Sequence, residues 1–450
     1  MKKERDFTQG NLFKNILFLG MPIIVANVME TLLNLADMFW VGKLGPGAIA
    51  AVAMSGIIMM VIMGSLMGIA TGTIAMISRS FGANDRMAAS EIALQSLVLA
   101  LILSTLLGLT GWFFSDNLLL LLGADESVLT LGTGYMKIMF VGVVTMFGSF
   151  IIGAILRSTG EAVIPMKLAA ISVLANIILD PFLIFGIGFP RMGINGAALA
   201  TVFSRAISVV WGFLILLRGS ARIKLNLEKF SLHPGIMKKL ISIGIPSSIQ
   251  MSLRSLMGLV LMKIVAYYGT LAIAAYGIGL RIQMFVLMPA FSLADATATL
   301  VGQNLGVHQT ERAQKTAWLA TIFDMVIMAF FATIFIVWAP AIIQIFNSNN
   351  ASLVVTYGAN YLRLTSMSYI FMAMGIILSR AMQGAGYALV PMLITLLTLW
   401  GIQIPLAILI PRFTDLGLTG VWLAIAVAPV FDAAFTVTLF QHGKWKLHKI

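Results

Sequence analysis

Six acidic residues sit inside apolar stretches of this chain: Glu30, Asp37, Asp180, Asp295, Asp324 and Asp432. A carboxylate in hydrocarbon costs about 2.5–3.5 kcal/mol on insertion scales, so each is a candidate for ion or substrate chemistry. Glu30, Asn34 and Asp37 are spaced i, i+4, i+7 and share one face of a helix. Asn176 and Asp180 share a face in the same way. Asp37, Asp180 and Thr201 all fall about 6–8 Å below the outer ends of their spans at the helical rise of 1.5 Å per residue. Pro181 cannot donate to the Ile177 carbonyl, which predicts a kink and a freed hard oxygen ligand. Two carboxylates, an amide oxygen, a hydroxyl and a carbonyl suit a sodium ion. They equally suit one shared proton, because burial and a second carboxylate both disfavour the charged form. Equal depth is not contact, however. Wet carboxylates at the outer headgroups would show the same depth.

The elements that must hold these residues are membrane spans. Of 450 residues, 60% are apolar and 10% charged, far from a soluble composition of roughly a quarter charged. The apolar runs are continuous and do not alternate, which excludes an outer-membrane barrel. With no cysteine, disulfides, zinc–thiolate sites and thiol catalysis are absent. Twelve runs are long enough to cross about 30 Å of hydrocarbon: 16–41, 49–77, 93–114, 135–156, 164–185, 196–217, 240–266, 271–300, 316–338, 361–379, 389–410 and 421–440. The first run is too long and too late for a signal peptide and is expected to be retained.

The net charge of +12 follows the loops. One set carries Lys2, Lys3, Arg5 and Lys14, then Arg79 and Arg86, then Arg157 and Lys167, then Arg218 to Lys239 with Lys229 among them. It continues with Arg312 and Lys315, Arg380, and Lys444, Lys446 and Lys449. The alternate loops carry only Lys43, Arg191 and Arg412, with Lys137 and Lys263 near helix ends. This asymmetry predicts a plasma (inner) membrane protein with both termini cytoplasmic, and it accounts for the basic balance without nucleic acid.

The sequence also repeats itself. Gly20-Met-Pro22 returns as Gly244-Ile-Pro246, and Ala48-Ile-Ala-Ala51 as Ala272-Ile-Ala-Ala275, both at an offset of 224. Val163-Ile-Pro-Met166 returns as Leu389-Val-Pro-Met392 at 226, and Gly193 with Gly196 as Gly417 with Gly420 at 224. An even number of spans per half predicts two parallel six-helix repeats about a pseudo-twofold along the membrane normal. The expected organisation is an N-terminal lobe 1–217, a cytoplasmic linker 218–239 and a C-terminal lobe 240–450. Two such lobes around a V-shaped central cleft describe a secondary transporter working by alternating access. The positions equivalent to Asp37 and Asp180 are Leu261 and Leu406, so coupling chemistry is expected in the first half alone.

Three stretches carry a family likeness. Asn34-Leu-Ala-Asp37-Met-Phe-Trp-Val-Gly-Lys-Leu-Gly45 leads into Ala48-Ile-Ala-Ala-Val, Ala175-Asn176 precedes Asp180-Pro181, and Gly193-Ile-Asn-Gly196 leads to Thr201. In these the chain resembles the multidrug and toxic compound extrusion (MATE) family, and its amino-terminal acidic pair is similar to the DinF-like branch. The resemblance implies a proton- or sodium-coupled exporter of lipophilic, mostly cationic compounds. It brings Asp37, Asp180, Asn176, Thr201 and Asn34 into one coupling site, with any sodium held by Asp37, Asn176, Asp180 and Thr201. It implies no cofactor beyond the coupling ion. The expected partners are amphipathic small molecules and membrane lipid, and one chain is expected to suffice.

Other residues stay open. Glu30, Arg254 and Asp295 are additional cavity candidates, and Glu30 serves a structural salt bridge as readily as coupling. Asp295, Asp324 and Asp432 have Arg281, Arg254 and Arg363 as available partners, and Arg205 is unassigned. The 29 methionines suit an adaptable pocket or plain packing. His233, His308, His442 and His448 lie in loops or tails without metal spacing. No Walker A sequence and no nucleophile constellation occurs, so ATP drive and enzyme chemistry are not expected. The alternatives are a flippase for lipid-linked oligosaccharides, which would use arginines for pyrophosphate, and a membrane-embedded transferase, which would need a polar motif at a loop–helix junction.

Overall fold

The computed structural model describes residues 5–188, 190–228, 231–347, 351–448 and 450. Lys2, Lys3, Lys229 and Lys449, counted in the charge pattern, lie outside the described residues. The described residues are almost all helical, with no strand among them. The first six helices are α1 (Leu12–Gly42), α2 (Pro46–Gly82), α3 (Arg86–Leu121), α4 (Glu126–Ser158), α5 (Val163–Phe185) and α6 (Ile194–Arg218). Then come α7 (Pro234–Ala266), α8 (Thr270–Gly306), α9 (Thr310–Phe346), α10 (Ser352–Ser366) and α11 (Tyr369–Gly384). The chain ends with α12 (Leu389–Thr395), a π-helical stretch Leu396–Gln403, α13 (Ile404–Phe413), α14 (Leu418–His442) and a 3₁₀ turn Lys444–Leu447.

Eleven of these elements are long and apolar enough to cross a membrane, counting Leu389–Phe413 as one. A twelfth span is the pair α10 and α11, bent by 53°. The helices outrun the apolar stretches read from sequence: α3 starts at Arg86 and ends at Leu121, around a run of 93–114. Hydropathy marks only the part that lipid must cover, while helical hydrogen bonding continues past it. Basic residues expected in loops, such as Lys14, Lys238 and Lys239, therefore sit on helix ends.

The repeat is written in the backbone as well as the side chains. Gly45 and Gly269 precede α2 and α8 with φ/ψ of 106/173° and 95/173°. Gly193 and Gly417 precede α6 and α14 with 56/−133° and 50/−127°. Even the non-glycine residues in the left-handed region, Asn84 (φ 59°) and His308 (φ 60°), stand 224 apart. An L-residue adopts that region reluctantly, so coincidence at a fixed offset reflects one supersecondary plan used twice.

The chain divides into two compact units. One is Phe18–Ser248 with the short stretch 5–7, and the other is Ile249–Ile450 with Thr8–Leu17. The division therefore passes through α1 and α7. In the first unit, α2, α3, α4 and α6 form the contact core, with α5 laid on α6. In the second, α8, α9, α10, α11 and α14 pack together. Two departures from plain helices mark the second unit. At the α10–α11 break, Thr365, Ser366 and Ser368 hydroxyls all bond to carbonyls three or four residues back, competing with the helical ladder. In the π stretch, Pro405 lacks the N–H that the Gly401 carbonyl would take, so the turn widens. In contrast, α5 runs unbroken through Pro181, and the kink expected there is not a break in the helix.

Gly196 decides how closely α5 and α6 approach. A Cβ on it would stand 2.5 Å from the Leu183 carbonyl group and 2.8 Å from the Ile184 nitrogen. Gly196→Val should therefore push α5 off α6 and cost about 1–3 kcal/mol, read as a lower melting temperature of the detergent-solubilised protein. Gly64→Ala, where nothing lies within 4 Å, should melt as wild type or higher.

Candidate functional site

The acidic pair predicted from sequence converges in the first unit. On α1, Asp37 is half-buried; on α5, Asn176 and Asp180 are fully buried; on α6, Thr201 is 7% exposed. The close α5–α6 crossing at Gly196 sets Thr201 against Asn176. The Asn176 amide then bridges two helices. Its nitrogen donates to Asp37 Oδ1 at 2.8 Å, and its oxygen accepts from the Thr201 backbone N–H at 3.3 Å. Asp37 and Asp180 share a side-chain hydrogen bond, and the Thr201 side chain bonds to Asp37 as well. An ionised carboxylate only accepts, so a carboxyl–carboxyl hydrogen bond requires a proton on one of them. Asp180 Oδ1 is buried without a partner. Among the described residues that oxygen has nothing to bond to.

This arrangement can bind a proton, which it shares between two acids. It also offers hard oxygens to a sodium ion: the two carboxyls and the Thr201 hydroxyl. The Thr201 hydroxyl has the Ala197 carbonyl at 3.1 Å as a second partner, and its single proton serves one acceptor at a time.

Two residues of this neighbourhood escaped the sequence reading. Tyr135 on α4 is electrostatically coupled to both Asp37 and Asp180. Its position at the start of the fourth apolar run, at the same depth, was the available signal. Arg205 lies one helical turn from Thr201 on α6 and within electrostatic reach of Asp37. It is the partner of Glu30: Arg205 Nη1 donates to Glu30 Oε1 at 2.6 Å, and Nη2 to Oε2, a bidentate fork.

Other sequence candidates lie elsewhere. Asn34 shares the face of Glu30 and Asp37, yet it is exposed. Arg254 and Asp295 belong to the second unit, whereas the pair belongs to the first. Asp295 takes Arg380, with Nε donating at 2.8 Å, and not Arg281. Arg254 faces Asp432, which also accepts from Thr398 at 3.2 Å. Arg363 does not reach an acid; it donates to the Ile336 carbonyl at 3.3 Å. Neither Asp324 oxygen has a hydrogen-bond partner among the described residues.

In the second unit the places equivalent to the site are apolar. Leu261 and Ile425, the counterparts of Asp37 and Thr201, belong to one buried cluster with Tyr276, Tyr361 and Trp422, and Leu406, the counterpart of Asp180, packs against it. Tyr276 stacks on Trp422 at 5.6 Å with planes 22° apart. Where one half converges oxygens, the other converges rings and aliphatic side chains.

The MatE family model matches residues 22–182 and 246–409, one stretch in each repeat. The chain belongs to the MatE family. Its members are membrane transporters, and the chain is a multi-pass membrane protein of that kind. It is 28% identical to the probable multidrug resistance protein YpnP of Bacillus subtilis, over 100% of this chain and 99% of that one. It is 27% identical to an FAD transporter of Shewanella oneidensis, over 95% of this chain and 94% of that one. Among solved structures it superposes with a TM-score of 0.92 on a MOP superfamily transporter from Pyrococcus furiosus, at 26% identity with both chains fully covered. That transporter is described as having a binding pocket of reversed polarity that suggests a different function.

If the shared carboxyl pair is the ion receptor, its ligand should stabilise the fold by mass action. Melting temperature of the purified protein should rise with sodium at fixed pH, or with falling pH at fixed sodium. Asp180→Asn should keep about a tenth or less of that rise while folding normally. An unchanged rise in the variant would place the ion elsewhere.

Proposed function

We propose that this protein is a secondary active multidrug exporter: it takes up H⁺ or Na⁺ at Asp37–Asp180 and expels lipophilic, mostly cationic compounds. The observation that carries the reading is the convergence of Asp37, Asn176, Asp180 and Thr201 from three helices of one unit. Relatives named as multidrug resistance proteins support the cargo class. The basic asymmetry of the loops supports a plasma-membrane location with both termini in the cytoplasm. One chain carries the whole site.

The cycle is alternating access. In the outward-open state the acidic pair loads an ion, α1 repacks, and the drug leaves. The ion shifts this balance only through its differential affinity for the two states. A tenfold release of drug needs about 1.4 kcal/mol of such coupling. Helix α1 is suited to respond, since Asp37 is held by side chains of α5 and α6 and by no carboxylate partner on its own helix. The flippase reading is weakened by the arginines that would serve a pyrophosphate: Arg205 is occupied by Glu30, and Arg254 faces Asp432.

Vesicles loaded with ethidium and carrying the protein should release it under an imposed pH or sodium gradient. Asp37→Asn should lower the gradient-driven rate to about a tenth or less of wild type. Undiminished efflux by the variant would remove Asp37 from the coupling.

A further inference from the structure

The ion site is one end of a polar column. On α1 the side chains Asp37 and Glu30 stand seven residues apart on one face, about 10 Å along the axis. On α6, Thr201, Arg205 and Ser208 form the matching stripe. The far end opens into a cavity of about 240 Å³ within the first unit, lined by Asn27, Glu30, Phe150, Arg157, Arg205 and Ser208 among others. Its acid and its arginine are reachable, at 31% and 17% side-chain exposure. Among the described residues, Asp180 Oδ1 and Arg205 Nε are buried without a hydrogen-bond partner.

Arg205 is the shared member of both ends. It holds Glu30 in a bidentate fork and sits within electrostatic reach of Asp37. One guanidinium cannot neutralise both acids at full strength. We propose that Glu30 is the carboxylate that receives the organic cation, that Arg205 masks it, and that Arg205 is the positioning residue through which ion loading at Asp37 evicts the cation. This deepens the exporter reading and rests on it. With Asp37 charged, Arg205 is drawn toward it along α6 and Glu30 is free to pair with the cargo. With Asp37 neutralised by an ion, Arg205 returns to Glu30 and takes the cation's place. Ion and drug then compete for one arginine without touching each other. Asp37 acts on Arg205 from the ion end, Glu30 holds it at the cavity end, and Arg157 lines the same cavity.

The test is ethidium binding to the purified full-length protein, followed by fluorescence across a sodium series and a pH series. Wild type should bind more weakly as the ion loads. Arg205→Gln should bind about five-fold tighter than wild type in the ion-loaded state, where the arginine otherwise covers Glu30, and lose most of the ion dependence. Glu30→Gln should bind about ten-fold more weakly. Arg205→Lys keeps the charge without the fork and should fall between wild type and Arg205→Gln, which decides the matter if the glutamine variant does not fold. N-phenylnaphthylamine, uncharged and similarly flat, should bind all four proteins alike. Folded Arg205 variants with wild-type affinity and wild-type ion response would reduce the fork to a brace and overturn the proposal. Wild-type binding indifferent to both ions would instead overturn the exporter reading itself.

Discussion

The contact between Asp37 and Asp180 constrains the rest of the first unit. Two acids cannot be brought together out of water unless a proton or a cation stands between them. Every nearby feature serves that contact. Asn176 spends its amide nitrogen on Asp37 and its oxygen on α6. Gly196 lets α6 come close enough for that bond. Pro181 withholds a backbone donor one residue after Asp180. The result is a buried site that needs a proton or a cation between its two acids.

The two halves share a backbone and differ in chemistry. Glycines and left-handed residues recur at 224 with φ values within about ten to twelve degrees of one another. Yet the second half fills the equivalent of the acidic cluster with Leu261, Leu406 and Ile425 against a stack of aromatic rings. A fold fixed by helix caps and close approaches tolerates such a change, because those features lie at helix ends while the chemistry lies mid-face. The second half spends its polar residues differently. Gln250, Gln383, Thr395, Arg380 and Asp295 form one chain of hydrogen bonds from α7 through α11 to α8 and α12. With its partners satisfied, such a chain rigidifies, and nothing in it waits for an ion.

Much of this was legible in the sequence because membrane folding is severe. Continuous apolar runs fixed the spans, and the constant offset between motifs exposed the duplication. The spacing of Asn176 and Asp180 placed both on one face, but their meeting with Asp37 came from family likeness, not from depth. The pairing of charges was not legible. Asp295 had several arginines available, and Arg380 was chosen by helix packing, which no one-dimensional pattern carries. Tyr135 was invisible for another reason: a phenol at the edge of an apolar run reads as an interfacial anchor until neighbouring helices turn it toward an acid. The α10–α11 bend was hidden in three hydroxyl residues, Thr365, Ser366 and Ser368, each ordinary in a helix alone and disruptive together.

The charge pairs show what duplication preserved and what it released. Glu30 on α1 meets Arg205 on α6; Arg254, at the equivalent place on α7, faces Asp432 on α14, the counterpart of α6. The first and last spans of each half are thus bridged, with acid and base exchanged. A brace is indifferent to which side carries which sign, so a purely structural requirement permits the reversal. Cargo recognition is not indifferent. Asp432 is packed against Gly375, where even a methyl group would collide with its carboxylate, and it spends one oxygen on Thr398. Glu30 instead opens onto a cavity and is held by one arginine that also answers to the ion site. Of the two inverted braces, the one whose acid faces open space is the one able to trade its arginine for a cation.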